Sequence, residues 1–431
     1  MIVSGWGNFP KIKATIFSSN SVENLKKFIL LNNKIIAFGN GRSYGDSALN
    51  NKIIKLNRYN HFLKFDKKRG FLELQAGALI SEVLELIVPH GWFLPVTPGT
   101  KFITIGGAIA SDVHGKNHHR DGCFSSFIKK IRILGSNGQI LTCSKKIRPN
   151  LFKATCGGMG LTGLILDAEI ELKKIKSKNI ISNSIPTKNL SETFKYFEEK
   201  KGSTYSVAWI DCFARIQDLG RGIFTFGEFA NDGDLKYTEK NQINIPFYLP
   251  RIILNNFSIR IFNLFYYLIA KKTFSQKIDL NSFFYPLDRI GSWNRLYGEK
   301  GFLQYQCIFP KKNSYKGIYK LLELIRKSKS GSFLCVLKLH GKENKNWLSF
   351  PIEGYSLALD FKYHKQIFKF FEKLDEIVIK YNGRIYLSKD ARISKENFEK
   401  GYPLIKNFRD YRKNNFLNLK FESLQSKRLK L

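Results

Sequence analysis

An apolar run at Lys34–Phe38 leads straight into Gly39-Asn40-Gly41-Arg42-Ser43-Tyr44-Gly45-Asp46-Ser47-Ala48. No other feature restricts the chain as much as this junction. A buried strand that ends in closely spaced glycines turns tightly and leaves several N–H groups pointing inward, a nest that binds phosphate oxygens without side-chain charge. It is not a Walker loop, because no Gly-Lys-Ser/Thr follows, and it lacks the GxGxxG spacing that opens a helix at once. A second stretch, TPGTKFITIGGAIASDVHGKNHHRDG, brings Pro98-Gly99, Gly106-Gly107 and His114-Gly115 into a short span. Glycines this dense where strands meet helices imply a backbone that must come close to something.

The chain has 431 residues and a formal charge of +36, a length that points to two or three domains. With 43% hydrophobic and 25% charged residues it is neither disordered nor collagen-like. No stretch of about 20 residues is both apolar and free of charge, so no transmembrane helix is expected. The segment MIVSGWGNFPKIKATIF lacks the basic and apolar regions of a secretory signal, so a cytoplasmic or peripherally membrane-associated protein is expected. The lysines are spread evenly, without an Arg-rich block, zinc-finger spacing or RNP motif, which argues against nucleic acid and for an anionic membrane surface or anionic substrate. Cys123, Cys143, Cys156, Cys212, Cys307 and Cys335 form no CxxC pair, and several sit in strand-like runs, so they read as core filling without a disulfide framework.

Up to about residue 178, short strand-like runs alternate with helical patterns. FLELQAGAL alternates like a strand, SEVLELIVPHG has helical spacing with Ser81 as its expected N-cap, and IKKIRILGSNGQIL carries an Asn-Gly turn. From 179 to 383 the strands YSVAWIDC, GFLQYQCIFP, SFLCVLKLHG and GYSLALDFKY are separated by the helices KGIYKLLELIRK and HKQIFKFFEKLDEIVIKY. That order predicts an α+β layer, mostly antiparallel with helices on one face. GRIYLSKD and a polar, basic tail from Gly401 make up a C-terminal segment, 384–431. Within the middle region, 243–274 stands apart: apolar and aromatic residues are interrupted by Arg251, Arg260, Lys271 and Lys272. It reads either as a pair of amphipathic helices packed on the core or as an interfacial element whose aromatics enter a bilayer surface.

Taken in order, GRSYGDSA, PGT, TIGGAIASDVHGKNHH, GGMGLTG and YLSKDAR resemble the decaprenylphosphoryl-β-D-ribose 2′-oxidase family. That family lies within the vanillyl-alcohol oxidase/p-cresol methylhydroxylase (PCMH) superfamily. The likeness runs from Trp6 to the C-terminus and is least distinct between Ala230 and Asn281. It implies an α+β, two-domain flavoprotein: a PCMH-type FAD-binding domain at 1–178, an antiparallel-sheet substrate domain at 179–383, and 384–431 returning to the FAD domain.

The resemblance places FAD contacts at Ala37, Phe38, Gly39, Asn40, Gly41, Arg42, Ser43, Tyr44, Gly45, Asp46 and Ser47. Others fall on Gly99, Thr104, Ile105, Gly106, Gly107, Ser111, Asp112, Val113, His114, Ile165 and Tyr386. Many superfamily members carry, where Tyr44 stands, a histidine bonded to the flavin; tyrosine cannot form that link, so dissociable, non-covalent FAD is expected. Lys389, matching the family's active-site lysine, is expected at the reacting atoms with Tyr44 and His114. Its ammonium would stabilise negative charge on the cofactor or, with a depressed pKa, accept the hydroxyl proton. Composition alone reads it as a surface lysine paired with Asp390. In an unbroken strand Tyr386 and Lys389 point to opposite faces, so both reach the flavin only if the strand ends or bulges near Leu387.

Trp209, Tyr285, Gln304, Gln306, Lys338 and Ala358 match the family's substrate pocket, with Ala358 where actinobacterial members have cysteine. Gln304 and Gln306 share one strand face by period two, turned to sugar hydroxyls or to solvent. Lys338, between Leu337 and Leu339, needs an anionic partner such as substrate phosphate. His114, His118 and His119 lack the completing carboxylate or cysteine of a metal site, and no metal is expected. For His118 and His119 the residues suggest loop hydrogen bonding or exposure.

The implied activity is oxidation of the 2′-hydroxyl of a polyprenylphosphoryl ribose to a ketone, for cell-envelope polysaccharide synthesis. An NAD(P)H-dependent short-chain reductase would then complete the epimerisation to arabinose. A soluble aldonolactone or alditol oxidase of the same superfamily is one alternative. A basic surface- or nucleic-acid-binding protein with a vestigial flavin fold is another.

Overall fold

The computed structural model describes residues 1–239, 242–250, 255–270, 275–328, 331–332, 334–415 and 419–431. Arg251, Lys271 and Lys272 lie outside them. Near the N-terminus a parallel three-stranded sheet places Lys52–Lys55 between Thr15–Phe17 and Ile35–Phe38. Ile35 and Ile36 are fully buried, as a continuous apolar run in a parallel sheet requires. Beside it stands a five-stranded antiparallel sheet in the order Ile140–Cys143, Ile128–Leu134, Leu164–Glu171, Phe71–Gln75, Phe62–Asp66. The Asn-Gly turn joins its first two strands, with Gly138 at φ +79°.

The helix predicted at SEVLELI runs from Ile80 to Ile87, but its N-cap is Leu79 and not Ser81. Ser81 lies inside the helix, buried. The Ile80 and Ser81 N–H groups already donate to Ile103 and Lys101 carbonyls, and Glu82 accepts from Leu79 N–H, so no hydroxyl cap is needed.

The eight-stranded sheet is antiparallel throughout, in the order Ser275–Asp279, Asn179–Thr187, Gly222–Phe229, Tyr205–Ile210, Cys335–His340, Gly354–Lys362, Phe302–Pro310, Arg384–Ile385. Period-two alternation divides its residues. Tyr305, Cys307, Leu337, Leu357 and Leu359 pack into a core with helices Leu190–Glu199, Lys311–Ser328 and Ile367–Lys380. Gln304, Gln306, Lys338, Ala358 and Trp209 alternate with them and turn to the opposite face. That uncovered face meets the glycine loops.

The C-terminal tail is folded despite its basic composition. Phe408, Phe421 and Leu429 are buried, and buried Arg412 donates to the Leu161 and Phe421 carbonyls at 3.1 and 2.7 Å. Phe421 bridges Ile35, so the tail props the strand that feeds the first loop. The six cysteines are buried free thiols.

Candidate active site

Two close approaches assemble the site. A Cβ on Gly39 would overlap Thr104 Oγ1, and one on Gly45 would fall inside the Asp390 carbonyl. Both positions therefore require glycine, and together they press the first loop against the second loop on one side and the YLSKD turn on the other. Asn40 reinforces the first junction by donating to the Phe102 carbonyl at 2.8 Å; Tyr44 N–H reinforces the second by donating to Ser388 at 3.0 Å. Arg428 clamps the same seam, with Nη2 2.9 Å from both Asp46 and Asp390. Burial pushes the Asp46 carboxyl up to about 6 against the pull of Arg428.

The cradle suits a dinucleotide diphosphate. Among the described residues the N–H groups of Asn40, Gly41, Arg42 and Ser43 donate to no acceptor in the chain. Thr104 caps the small-residue helix Ile105–Ala110 by accepting from Gly107 N–H, and Gly106 lies against Ala76. A buried polar atom, His114 Nδ1, has no partner among the described residues. Asp112 is different: its carboxylate accepts from Asn344, Asn346, Ser349 and Ser125 N–H, leaving only its backbone for a cofactor. Ala37 and Phe38 end the parallel strand, and Ile165 is buried in the five-stranded sheet opposite Ile133. Val113 is buried, with its carbonyl bound by Phe124 N–H. Gly99 is exposed, and a Cβ there would meet nothing.

The strand carrying YLSKD ends at Ile385, and a turn in which Lys389 and Asp390 N–H groups bond the Tyr386 carbonyl follows. The geometric demand on Tyr386 and Lys389 is met by this ending. Tyr386 donates to the Ser111 carbonyl at 3.0 Å and stacks on Phe350, with its ring 5.3 Å from His114. Lys389 stands over the Tyr44 ring. It is not paired with Asp390, whose partner is Arg428. Burial lowers the Lys389 ammonium to about 7, opposed by the Asp360 carboxylate and aided by Lys338.

Gln304 donates to Asp360 Oδ1 at 2.6 Å, and Gln306 Nε2 lies 3.1 Å from His114 Nε2. Both glutamines are buried and face the glycine loops, not solvent. Ala358 lies opposite Gln306 in register. Lys338, lowered to about 8 by burial, acts electrostatically on both Lys389 and His114. Burial, with Lys338, His118 and Lys389 nearby, holds His114 well below its usual value, so it is neutral.

Two further expected pocket residues are Tyr285 and Trp209. Tyr285 is fully buried with its hydroxyl bonded to Thr97 and Lys101 near its ring, so it braces the Pro-Gly loop. Trp209 occupies the same sheet face as Gln306 but three strands off, against Tyr266. His118 is buried, accepting from Gly341 N–H and touching Cys123, while His119 bonds the Ser203 carbonyl. Among the described residues no His, Cys, Asp and Glu group is placed to hold a metal.

Asp360 escaped the sequence reading. Burial raises its carboxyl to about 7 against the hydrogen bond from Gln304 and the Lys389 charge. Its signal was period two from Ala358, readable only once the strand's partner is known. Lys116 was also missed: its ammonium donates to the Phe283 carbonyl, and burial with Lys338 nearby lowers it to about 7. Nothing distinguishes one more lysine in so lysine-rich a sequence.

Residues 16–144 match the FAD binding domain family. The chain is 33% identical over 425 residues to the decaprenylphosphoryl-β-D-ribose oxidase of Mycolicibacterium smegmatis, covering 93% of this chain and 91% of that protein. It is 26% identical over 160 residues to the L-gulonolactone oxidase of Scyliorhinus torazame, 36% of each chain. An uncharacterized protein of Streptomyces coelicolor is 26% identical over 356 residues, 77% of this chain and 94% of the other. With the glycine cradle, the Lys389 turn and a relative matched along almost its whole length, the chain belongs to the decaprenylphosphoryl-β-D-ribose oxidase family of FAD-dependent oxidoreductases.

Proposed function

We propose that the chain oxidises the 2′-hydroxyl of a polyprenylphosphoryl-β-D-ribose to a 2′-ketone. The observation carrying this reading is the convergence of Lys389, Asp360 and the two glutamines beside the glycine cradle, in a relative of an enzyme named for that substrate. Residues 1–178 and 384–431 form the cofactor domain and 179–383 the substrate layer. When bound, non-covalently, FAD supplies the acceptor for the hydride leaving C2′.

Lys389 takes the hydroxyl proton. An amine whose pKa lies near the working pH is available as the free base, and it gains the proton while the C2′–O bond becomes a carbonyl. The Asp360 carboxylate then faces an ammonium and stabilises it. Neutral His114 and the Gln304 and Gln306 amides orient the sugar, and Lys338 with Lys116 supplies positive charge toward the phosphate. The ketone passes to an NAD(P)H-dependent short-chain reductase that delivers the arabinose epimer, and the lipid-linked sugar is met at an anionic membrane surface.

Mass analysis of products tests the reading. The FAD-loaded chain, given polyprenylphosphoryl ribose, free alditols and aldonolactones in parallel, is expected to remove two hydrogens from the lipid-linked sugar only. Oxidation of the free sugars with hydrogen peroxide release, and none of the lipid-linked one, would establish a soluble alditol or aldonolactone oxidase instead.

A further inference from the structure

We propose that helix Asn256–Ala270 docks the enzyme in the surface of an anionic lipid bilayer and that the sheet face beneath it leads a lipid-linked sugar to Lys389. The second half rests on the sugar oxidation proposed above; the first half does not.

The helix is packed inside out. Its buried residues are Asn263 and Tyr267, one turn apart. Asn263 donates to Asp211 Oδ1 at 2.8 Å, and the Tyr267 hydroxyl donates to the Thr187 carbonyl at 3.3 Å beside Arg221. The outward side carries Phe257 at 72%, Phe265 at 60% and Ile269 at 64% exposure, with Ile261 and Leu268 also exposed. A helix that merely covers a core turns these two sides the other way. An apolar face of this extent marks a surface that something covers in use.

Charge identifies the cover. From Lys240 to Ile278 the sequence has no Asp or Glu but has the cations Lys240, Arg251, Arg260, Lys271, Lys272 and Lys277, the last of them paired with Asp232 at 3.0 Å. An aromatic face set in a cationic, carboxylate-free segment matches the boundary between anionic headgroups and acyl chains. The 15-residue helix is about 22 Å long, too short to cross a bilayer, and none of the described helices is long and apolar enough to do so. It therefore lies in the plane of the interface.

The helix also adjoins the reaction centre's sheet. Tyr266 sits edge-on to Trp209 with ring centroids 4.9 Å apart. Trp209 pairs with Val336, Val336 with Ala358, and Ala358 with Gln306, so all four side chains share one face. Three strand spacings make this row roughly 14 Å long. A prenyl chain left in the bilayer at the helix would run along it while the sugar stands at Lys389.

Flotation of the full-length, FAD-loaded chain tests docking without any sugar present, so its failure leaves the oxidation reading untouched. The wild type is expected to rise with phosphatidylglycerol/phosphatidylcholine vesicles and about tenfold less with phosphatidylcholine alone. A Phe257→Ser/Phe265→Ser/Ile269→Ser variant, retaining its FAD absorbance, is expected to float about tenfold less than wild type. On bilayer-embedded long-chain substrate that variant should lose turnover while keeping it on a short, water-soluble prenylphosphoryl ribose. Wild type that does not float, a variant that floats equally, or substitutions that instead split a dimer indifferent to vesicles would overturn the docking. Equal turnover by variant and wild type on both substrates would overturn the guided path.

Discussion

The ammonium of Lys389 lies 4.0 Å from the centre of the Tyr44 ring, and the backbone N–H of Tyr44 donates to Ser388, the residue before that lysine. The lysine is thus held on the glycine loop and not on the sheet that carries its strand. A cation over an aromatic face contributes about 0.5–2 kcal/mol and holds the ammonium form in place. Burial draws the ammonium the other way, toward neutrality, and the opposition of the two leaves Lys389 able to trade a proton.

The pH dependence of kcat/KM should rise through about pH 7 and level off above it. Lys389 acts as the free amine, and its ammonium form disappears as pH climbs past its lowered pKa. Asp360 raises that pKa, so Asp360→Asn should move the rise to lower pH. An unshifted profile in the variant would remove Asp360 from the proton's path.

Gly45→Ala should release FAD on gel filtration and destabilise the fold by about 1–3 kcal/mol or more, because the new methyl would occupy the Asp390 carbonyl. Gly99→Ala, with nothing near its Cβ, should melt like the wild type. Equal behaviour of the two would mean that loop and turn are not locked at Gly45.

Arg428→Ala should lower stability by about 3 kcal/mol at pH 8, since it strands two buried carboxylates. The Asp46 pKa is already raised in the folded state and climbs further without Arg428. Protonation then relieves the folded form at low pH, so the loss should be smaller at pH 5 than at pH 8. Urea unfolding at both values measures it, and an equal loss would count against this pairing.

Tyr386→Phe should cost about 1 kcal/mol through the lost hydrogen bond to the Ser111 carbonyl while leaving the ring on Phe350. Thermal unfolding of the FAD-loaded variant checks this; an unchanged midpoint would show that the bond contributes nothing.

What is legible in the sequence is what the backbone itself demands. Gly39 and Gly45 can be nothing else where two segments touch, and Gln304 and Gln306 share a face because strands have period two. Long-range pairing is the hidden part. Asp360 becomes a site residue only opposite Gln304, the Tyr285 hydroxyl is taken up by Thr97, and Ser81 fails as a cap because Lys101 already accepts its N–H. The 243–274 segment left two readings open, and its one described helix departs from the core-packing one, with hydrogen-bonded Asn263 inside and phenylalanines outside.

Anaerobic mixing of FAD-loaded chain with polyprenylphosphoryl ribose, followed by flavin absorbance, tests most directly whether the Lys389 turn is a reaction centre. Rapid bleaching by the wild type and a rate about 10²–10⁴-fold lower in Lys389→Ala are expected. Equal bleaching by both proteins, or none by either with FAD fully bound, would contradict it.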